Sequence, residues 1–454
     1  MIPRDPDPRP WPAPTSVPGA RAVSYLAAGL TPPRLTRWGV VLFALSVFVY
    51  GHTMMVPGLI DRVGRFKGAD YIQFYVMGSF AADGRLDALY DADAHLAEGR
   101  RRIHPDLQLY ASHPNYGPQV ALAFAPFALL PFSSSLAIFL LLTTACYGFS
   151  IWLLWRECDS LRGHGRLVAL LAAASPLLWN VARYGQASAI PLLLWSVGFV
   201  ALRRNRAFAG GLAIGCLVFK PQLGIVLGVV LLAARQWRIV AGALVAVIGQ
   251  LGVAWLAAGS GVMAQYFGEL WGLALNPTLI EVYPSEMHSL RGFLQLIIPS
   301  ATLVSAGALA GLAAVMVVAV RCWSTTAPLG LRWGLLALLT VLASPHLVSY
   351  DLVLLTIAML TFADWAVRHP DHEATAPVAV MLSVLYFAPF SGMVVARLTG
   401  VQVSVIVMAI LAWRIARVCA TGASVVCSKT DDRRAEAGRG VVPELEHARV
   451  AVEY

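Results

Sequence analysis

Charge is what this 454-residue chain has little of. Asp, Glu, Lys and Arg make up 13% of it, against 58% hydrophobic residues and a mean hydropathy of +0.67. A soluble globular surface takes roughly 25% charged residues, so the composition excludes a protein that lives in water alone. Cysteine is also sparse. The six cysteines (Cys146, Cys158, Cys216, Cys322, Cys419, Cys427) lie in apolar runs or at their ends and none forms a CxxC, so neither disulfides nor a cysteine-bound metal is expected. Carboxylates vanish altogether between Asp159 and Glu269, which leaves Arg183 and Lys220 with no acidic neighbour in sequence.

Long apolar runs are what the chain has instead. "GVVLFALSVFVYGHTMMVPG" (39–58), "LAIFLLLTTACYGFSIWLLW" (136–155) and "VAGALVAVIGQLGVAWLAAG" (240–259) have the ~20-residue length that a bilayer-crossing helix needs. The fold class is therefore all-α and polytopic. Polar breaks give spans near 38–57, 134–155, 166–181, 186–202, 207–220, 221–235, 239–258, 300–320, 332–346, 350–367, 375–391 and 400–416, about 12 in all within a range of 11–13. The apolar stretch 117–132 contains three prolines and fits a re-entrant or broken helix. Residues 1–36 are Pro-rich without an apolar core and read as a disordered cytoplasmic arm; residues 419–454 read as a polar cytoplasmic tail. The spans between them form one domain, 37–418.

A net charge of +9 invites a nucleic-acid reading, but in a membrane protein excess Lys and Arg marks cytoplasmic loops. The turns at 155–166, 203–206, 235–238 and 321–332, with Arg368, carry eleven Lys/Arg. The alternate short loops carry four: Arg183, Lys220, Arg291 and Arg397. The first set is thus cytoplasmic, the second outward, and no nucleic-acid partner is expected. The long segment 58–116 carries seven Lys/Arg, "GRRR" (99–102) among them, and by charge alone fits either side.

The polar residues of interest gather on the outward face: "GADYIQFY" (68–75), "RYGQAS" (183–188), "FKPQLG" (219–224), "YPSEMHSLRGF" (283–293) and "SPHLVSYD" (344–351). Each has an ordinary alternative. Asp70 can cap the helix after it, Arg183 can snorkel from a helix end, Lys220 can punctuate a turn before Pro221, and His346 can be a satisfied structural histidine. Cations at membrane depth otherwise face a cavity or a partner, and a phosphate-bearing ligand is one such partner. Their joint placement points to a common site.

"GADYIQFY", then "LYD", "FAPFALLPF", "YGQAS", "AGGLAIGCLVFKPQLG" and "SPHLVSYDLVLL", in this order over about residues 40–400, resemble the family 87 glycosyltransferases of the GT-C superfamily. These include bacterial polyprenyl-phosphate-mannose-dependent mannosyltransferases. The resemblance implies a GT-C-type bundle in the plasma membrane with an extracytoplasmic site, and it places 58–116 outside as a helical first loop. It implies inverting transfer of a hexose, mannose first, from a polyprenyl-phosphate donor to a glycan or glycolipid acceptor. Asp70 matches the family's base, and His346 matches a histidine of the same cavity. Where many relatives show an Asn-Ser pair, this chain reads "MHSLRG" (287–292).

Such chemistry needs a base within reach of the acceptor hydroxyl, opposite the leaving phosphate. It also needs fixed positive charge for that phosphate, for which Arg183, Lys220 and Arg291 are the candidates. Tyr71, Gln73, Tyr75, Gln186 and Gln222 are expected to line the substrate, with Tyr71 and Tyr75 alternatively interfacial anchors. No DxD-type acid pair stands ready for a metal in the outward loops. "DAD" (91–93) has the spelling but falls in an amphipathic stretch, so no cofactor or metal is expected. A secondary transporter should show repeated halves and ionisable residues at the midplane; no repeat is evident. A lipid-linked-glycan polymerase or ligase should concentrate arginines in a late outward loop, whereas 259–299 holds only Arg291.

Overall fold

The computed structural model describes residues 18–107, 115–276 and 283–437. All regular structure among them is helical, apart from two isolated bridges, Ile60 with Phe66 and Met287 with Val348. Helix α1 (Pro18–Ala28) precedes α2 (Pro32–Met54), which begins on the Pro32–Pro33 pair where missing N–H groups cost nothing. The first loop holds α3 (Tyr71–Ala82) and α4 (Ala92–Arg102). Then come α5 (Pro118–Ala128), α6 (Phe132–Arg156), and α7 (Gly165–Ala174) bent by 40° at Pro176 into α8 (Pro176–Tyr184). The middle is built from α9 (Ala189–Arg203), α10 (Ala207–Gly215), α11 (Ile225–Ala233) and the long α12 (Trp237–Leu275). The remainder comprises α13 (Leu290–Ile297), α14 (Ala301–Trp323), α15 (Leu329–Ala343), α16 (Leu355–Arg368), α17 (Thr375–Thr399) and α18 (Val403–Ala437).

By length and composition, only some of the expected twelve spans stand as single long helices. Each expected segment holds helix, but only α2, α6, α12, α14, α17 and α18 are long and apolar enough to cross a membrane alone, and the bent α7–α8 pair makes up to seven. At 1.5 Å per residue, helices of 9–15 residues such as α9, α10, α11 and α15 fall short of the ~30 Å hydrocarbon core. The break at Pro176 divides the expected 166–181 span, whereas the break at Pro221 coincides with the expected boundary between 207–220 and 221–235. The long helices carry the lipid-facing surface: Leu244, Val245, Ile248, Val253, Trp255 and Leu256 of α12 are all exposed. A helix apolar all round with little of it buried belongs in a membrane. The protein is a multi-pass helical membrane protein.

One further expectation changes. Residues 18–28 of the supposed disordered arm form α1, which packs on α17; residues 1–17 and 438–454 lie outside the described residues. The stretch 117–132 holds only the 11-residue α5, which packs on α3 and is too short to be a crossing.

The first loop is more than surface amphipathic helix. Helix α3 is buried in an aromatic core of Tyr71, Phe74, Tyr75, Phe80, Phe124, Phe132 and Phe139, with Tyr71 stacked 4.7 Å from Phe139. Helix α4 turns Glu98 inward, where it is buried and accepts from Arg85 at 3.3 Å, from Arg101 and Arg102 at 2.5 Å each, and from Ser79 at 3.3 Å. The arginines of "GRRR" are thus partly internal ties. Burial alone would raise Glu98, but Arg101 and Arg102 outweigh it and hold the carboxyl down at about 2. Asp91 of "DAD" accepts from the N–H groups of Asp93 and Ala94 at 2.9 and 3.1 Å, so that acid caps α4.

Candidate active site

Asp70 sits at the start of α3, yet its side chain makes no capping hydrogen bond. The helix-cap alternative therefore fails, and the carboxylate is turned elsewhere: Gln186 Nε2 donates to Asp70 Oδ2 at 2.8 Å. Backbone geometry makes this meeting possible. Gly68 (φ +63°) and Gly185 (φ +67°) both take left-handed conformations that glycine adopts freely. A Cβ on Gly185 would come within 3.0 Å of Gly68 Cα and 2.9 Å of Tyr71 Cβ. Gly68, two residues before Asp70, thus lets the first loop approach another backbone. Across this seam the Asp70 N–H donates to Tyr184 O at 3.0 Å.

Gln186 leads on to a buried cluster. Its Oε1 accepts from Lys220 Nζ at 3.3 Å and from the Ala187 N–H at 3.1 Å. Lys220 lies between the 3₁₀ turns Cys216–Phe219 and Pro221–Leu223 and also donates to Ser188 Oγ at 3.0 Å and to Asp351 Oδ1 at 2.9 Å. The Ser188 hydroxyl donates to the same Asp351 oxygen. Lys220 and Asp351 are each 2% exposed, so this is a buried ion pair whose Nζ hydrogens each have an acceptor. Tyr350 faces Asp70 from one side, its ring 5.5 Å from Lys220 Nζ; Tyr116 lies against Gln186. Asp70 itself is only half-buried, and so reachable. Burial raises its carboxyl above the ordinary range, while Gln186, the Lys220 ammonium and Tyr350 pull it back.

On the other side of Tyr184, a cavity of about 170 Å³ opens between α2, α8, α17 and the turn before α13. Arg183, Asn180, His288 and Glu286 are among its polar lining, and Val49, Met54, Phe390 and Met393 among its apolar walls. Arg183 pairs with no acid among the described residues, and Glu286 is tied to Arg397 at 3.1 Å. Tyr184 packs edge-on to Tyr350, ring centres 5.5 Å apart, so the cavity and the Asp70 cluster share a wall.

Residues 115–345 match the model of glycosyltransferase family 87, half of the chain. The chain belongs to glycosyltransferase family 87. A curated family relative from Mycolicibacterium smegmatis (strain ATCC 700084 / mc(2)155) is a polyprenol-phosphate-mannose-dependent alpha-(1-2)-phosphatidylinositol pentamannoside mannosyltransferase, 29% identical over 252 residues, 53% of this chain and 54% of that one. The chain thus spans about half the length of the curated relative it matches. No solved structure matches. The family 87 match includes Gln186 and Lys220, whereas Asp70, His346 and Asp351 lie outside it.

The structure joins Asp70, Gln186 and Lys220 of the expected site and separates others. Lys220 is not the isolated cation that a phosphate would have to satisfy, because Asp351 is its partner across 131 residues of sequence. His346 lies within electrostatic reach of Asp351 and Lys220, its Nδ1 buried without a hydrogen-bond partner. Tyr71 and Tyr75 are both buried in the aromatic core, Tyr71 bonded to Ser135 and Tyr75 donating to Leu130 O at 2.8 Å. Gln73 donates to Asn115 at 3.3 Å. Gln222 is half-buried in the turn after Lys220, and Arg291 is the second residue of α13; neither lines the cavity. Asp351 and Ser188 were missed as site residues, although both stand inside motifs that the sequence singled out.

Proposed function

We propose that this family 87 protein transfers a hexose, mannose first, from a polyprenyl-phosphate donor to a glycan or glycolipid acceptor with inversion, and that Asp70 is the general base. One observation carries the reading: a reachable carboxylate at a helix start that does not cap the helix and is held by a hydrogen-bonded cluster beside an arginine-lined cavity. Asp70 takes the proton of the acceptor hydroxyl as that oxygen bonds to the anomeric carbon. The bond from that carbon to the phosphate oxygen breaks on the opposite face, and the lipid phosphate leaves with the electron pair. Burial makes the carboxylate a stronger base than one in water.

Arg183 is the cation we assign to the donor phosphate, since its guanidinium can hold two phosphate oxygens at once. It precedes Tyr184, whose carbonyl holds the Asp70 N–H, so base and phosphate site adjoin without overlapping. The apolar walls suit the first isoprene units of the donor. No metal is assigned a role. The site faces outward from the plasma membrane in this reading, following the arginine distribution of the short loops.

The test is Asp70→Asn in purified, reconstituted protein assayed with polyprenyl-phosphate mannose and a phosphatidylinositol mannoside. Transfer should fall by about 10²–10⁴-fold with expression and folding retained. Near-wild-type transfer by a well-folded Asn variant overturns the assignment.

A further inference from the structure

A base must be aimed as well as present, and the residues behind Asp70 have no role in the chemistry above. The Gln186 side chain is an amide whose two ends differ only in hydrogen-bonding sense. In the observed sense, Nε2 donates to Asp70 at 2.8 Å while Oε1 accepts from Lys220 and the Ala187 N–H. Rotated by 180°, the amide would set its NH₂ against an ammonium and a backbone donor, and its oxygen against a carboxylate. Lys220 thus fixes the sense, and Ser188 and Asp351 fix Lys220.

We propose that Asp351, Ser188, Lys220 and Gln186 form a positioning relay that fixes the Asp70 carboxylate through the amide sense of Gln186, rather than contacting donor or acceptor. It rests on the reading of Asp70 as the base. The expected roles of Lys220 as a phosphate ligand and Gln186 as a substrate contact give way to it. Three acceptors take the Nζ donors of Lys220, leaving none for a phosphate unless the cluster opens. The relay is assembled from distant parts of the chain: Gln186 and Ser188 follow the left-handed turn at Gly185, Lys220 lies between two 3₁₀ turns, and Asp351 begins the 3₁₀ turn Asp351–Leu354.

A purely structural cluster and a relay predict different kinetics. Gln186→Met keeps the volume, strands no charge of its own and removes the hydrogen bond to Asp70. With polyprenyl-phosphate mannose as probe, its kcat should fall about tenfold to a hundredfold, the usual cost of a displaced reacting group, with donor KM changed less than about twofold. Its pH profile should also move. The charged and titratable groups facing Asp70 are Lys220, Asp351, Tyr350 and Tyr116. Gln186 favours the ionised carboxylate, so removing it raises the Asp70 pKa and shifts the acid limb of kcat/KM to higher pH. Ser188→Ala, which leaves the ion pair in place, should give a smaller shift in the same sense. An unmoved acid limb in both variants, or a rise in donor KM alone, overturns the relay. If Asp70→Asn keeps its activity, the base itself falls; if Asp70→Asn is inactive and the acid limb in Gln186→Met is unmoved, only the relay falls.

Discussion

Lys220 and Asp351 form an ion pair of 2.9 Å in which each side chain is 2% exposed. A buried pair of this kind is a poor source of net stability, because desolvation offsets the attraction, but breaking it is costly. Lys220→Met should destabilise the protein by about 3–5 kcal/mol, and so should Asp351→Leu, since each leaves one charge buried and unpaired. The double variant should cost clearly less than the two together. Unfolding midpoints in detergent for the four proteins of the cycle check this, and simple additivity would remove the coupling.

Arg183 should report on the donor. Arg183→Ala is expected to raise the donor KM by roughly tenfold or more, and Arg183→Lys to recover part of it, because lysine keeps the charge but loses the two-pronged contact. Steady-state kinetics with varied polyprenyl-phosphate mannose decide it. A loss confined to acceptor KM would move Arg183 to the other substrate.

Glu98 predicts an acid limit for the first loop. Its folded carboxyl is held at about 2, below the ordinary unfolded value near 4.3. Its contribution is therefore complete above the unfolded value and is lost as pH falls from there toward 2. Glu98→Gln should flatten the fall in thermal stability between about pH 4.5 and pH 2. An identical slope in wild type and variant would assign acid sensitivity to other carboxylates.

Gly185→Ala should damage the site more than the bundle. The left-handed backbone costs an alanine about 1–2 kcal/mol, and the new Cβ would press on Gly68 Cα and Tyr71 Cβ. Transfer activity at a temperature where the variant is still folded should drop at least tenfold, the scale of a displaced reacting group. Unchanged kinetics in a merely less stable protein would show that the seam does not set the base.

Much of this was legible in the sequence. The helical membrane class followed from hydropathy, and Asp70, Gln186 and Lys220 stood out as polar residues at the ends of apolar runs. What pairs with Lys220 did not, because Asp351 lies 131 residues away and no local spacing encodes that contact. The burial of Tyr71 and Tyr75 was not legible, because an aromatic run beside a polar turn has the same spelling whether it faces a sugar, a lipid surface or other aromatic rings. The hydropathy windows did not register that Pro176 bends the 166–181 run into two short helices.

The glycine seam at Gly68 and Gly185 carries a consequence for how such a site can be modified. Two backbones in direct touch, with no side chain between them, register Asp70 against Gln186 with few rotamers able to intervene. Helix α3, locked in its aromatic core just past the seam, holds the other flank, so a change at either glycine would be carried straight to the Asp70 carboxylate.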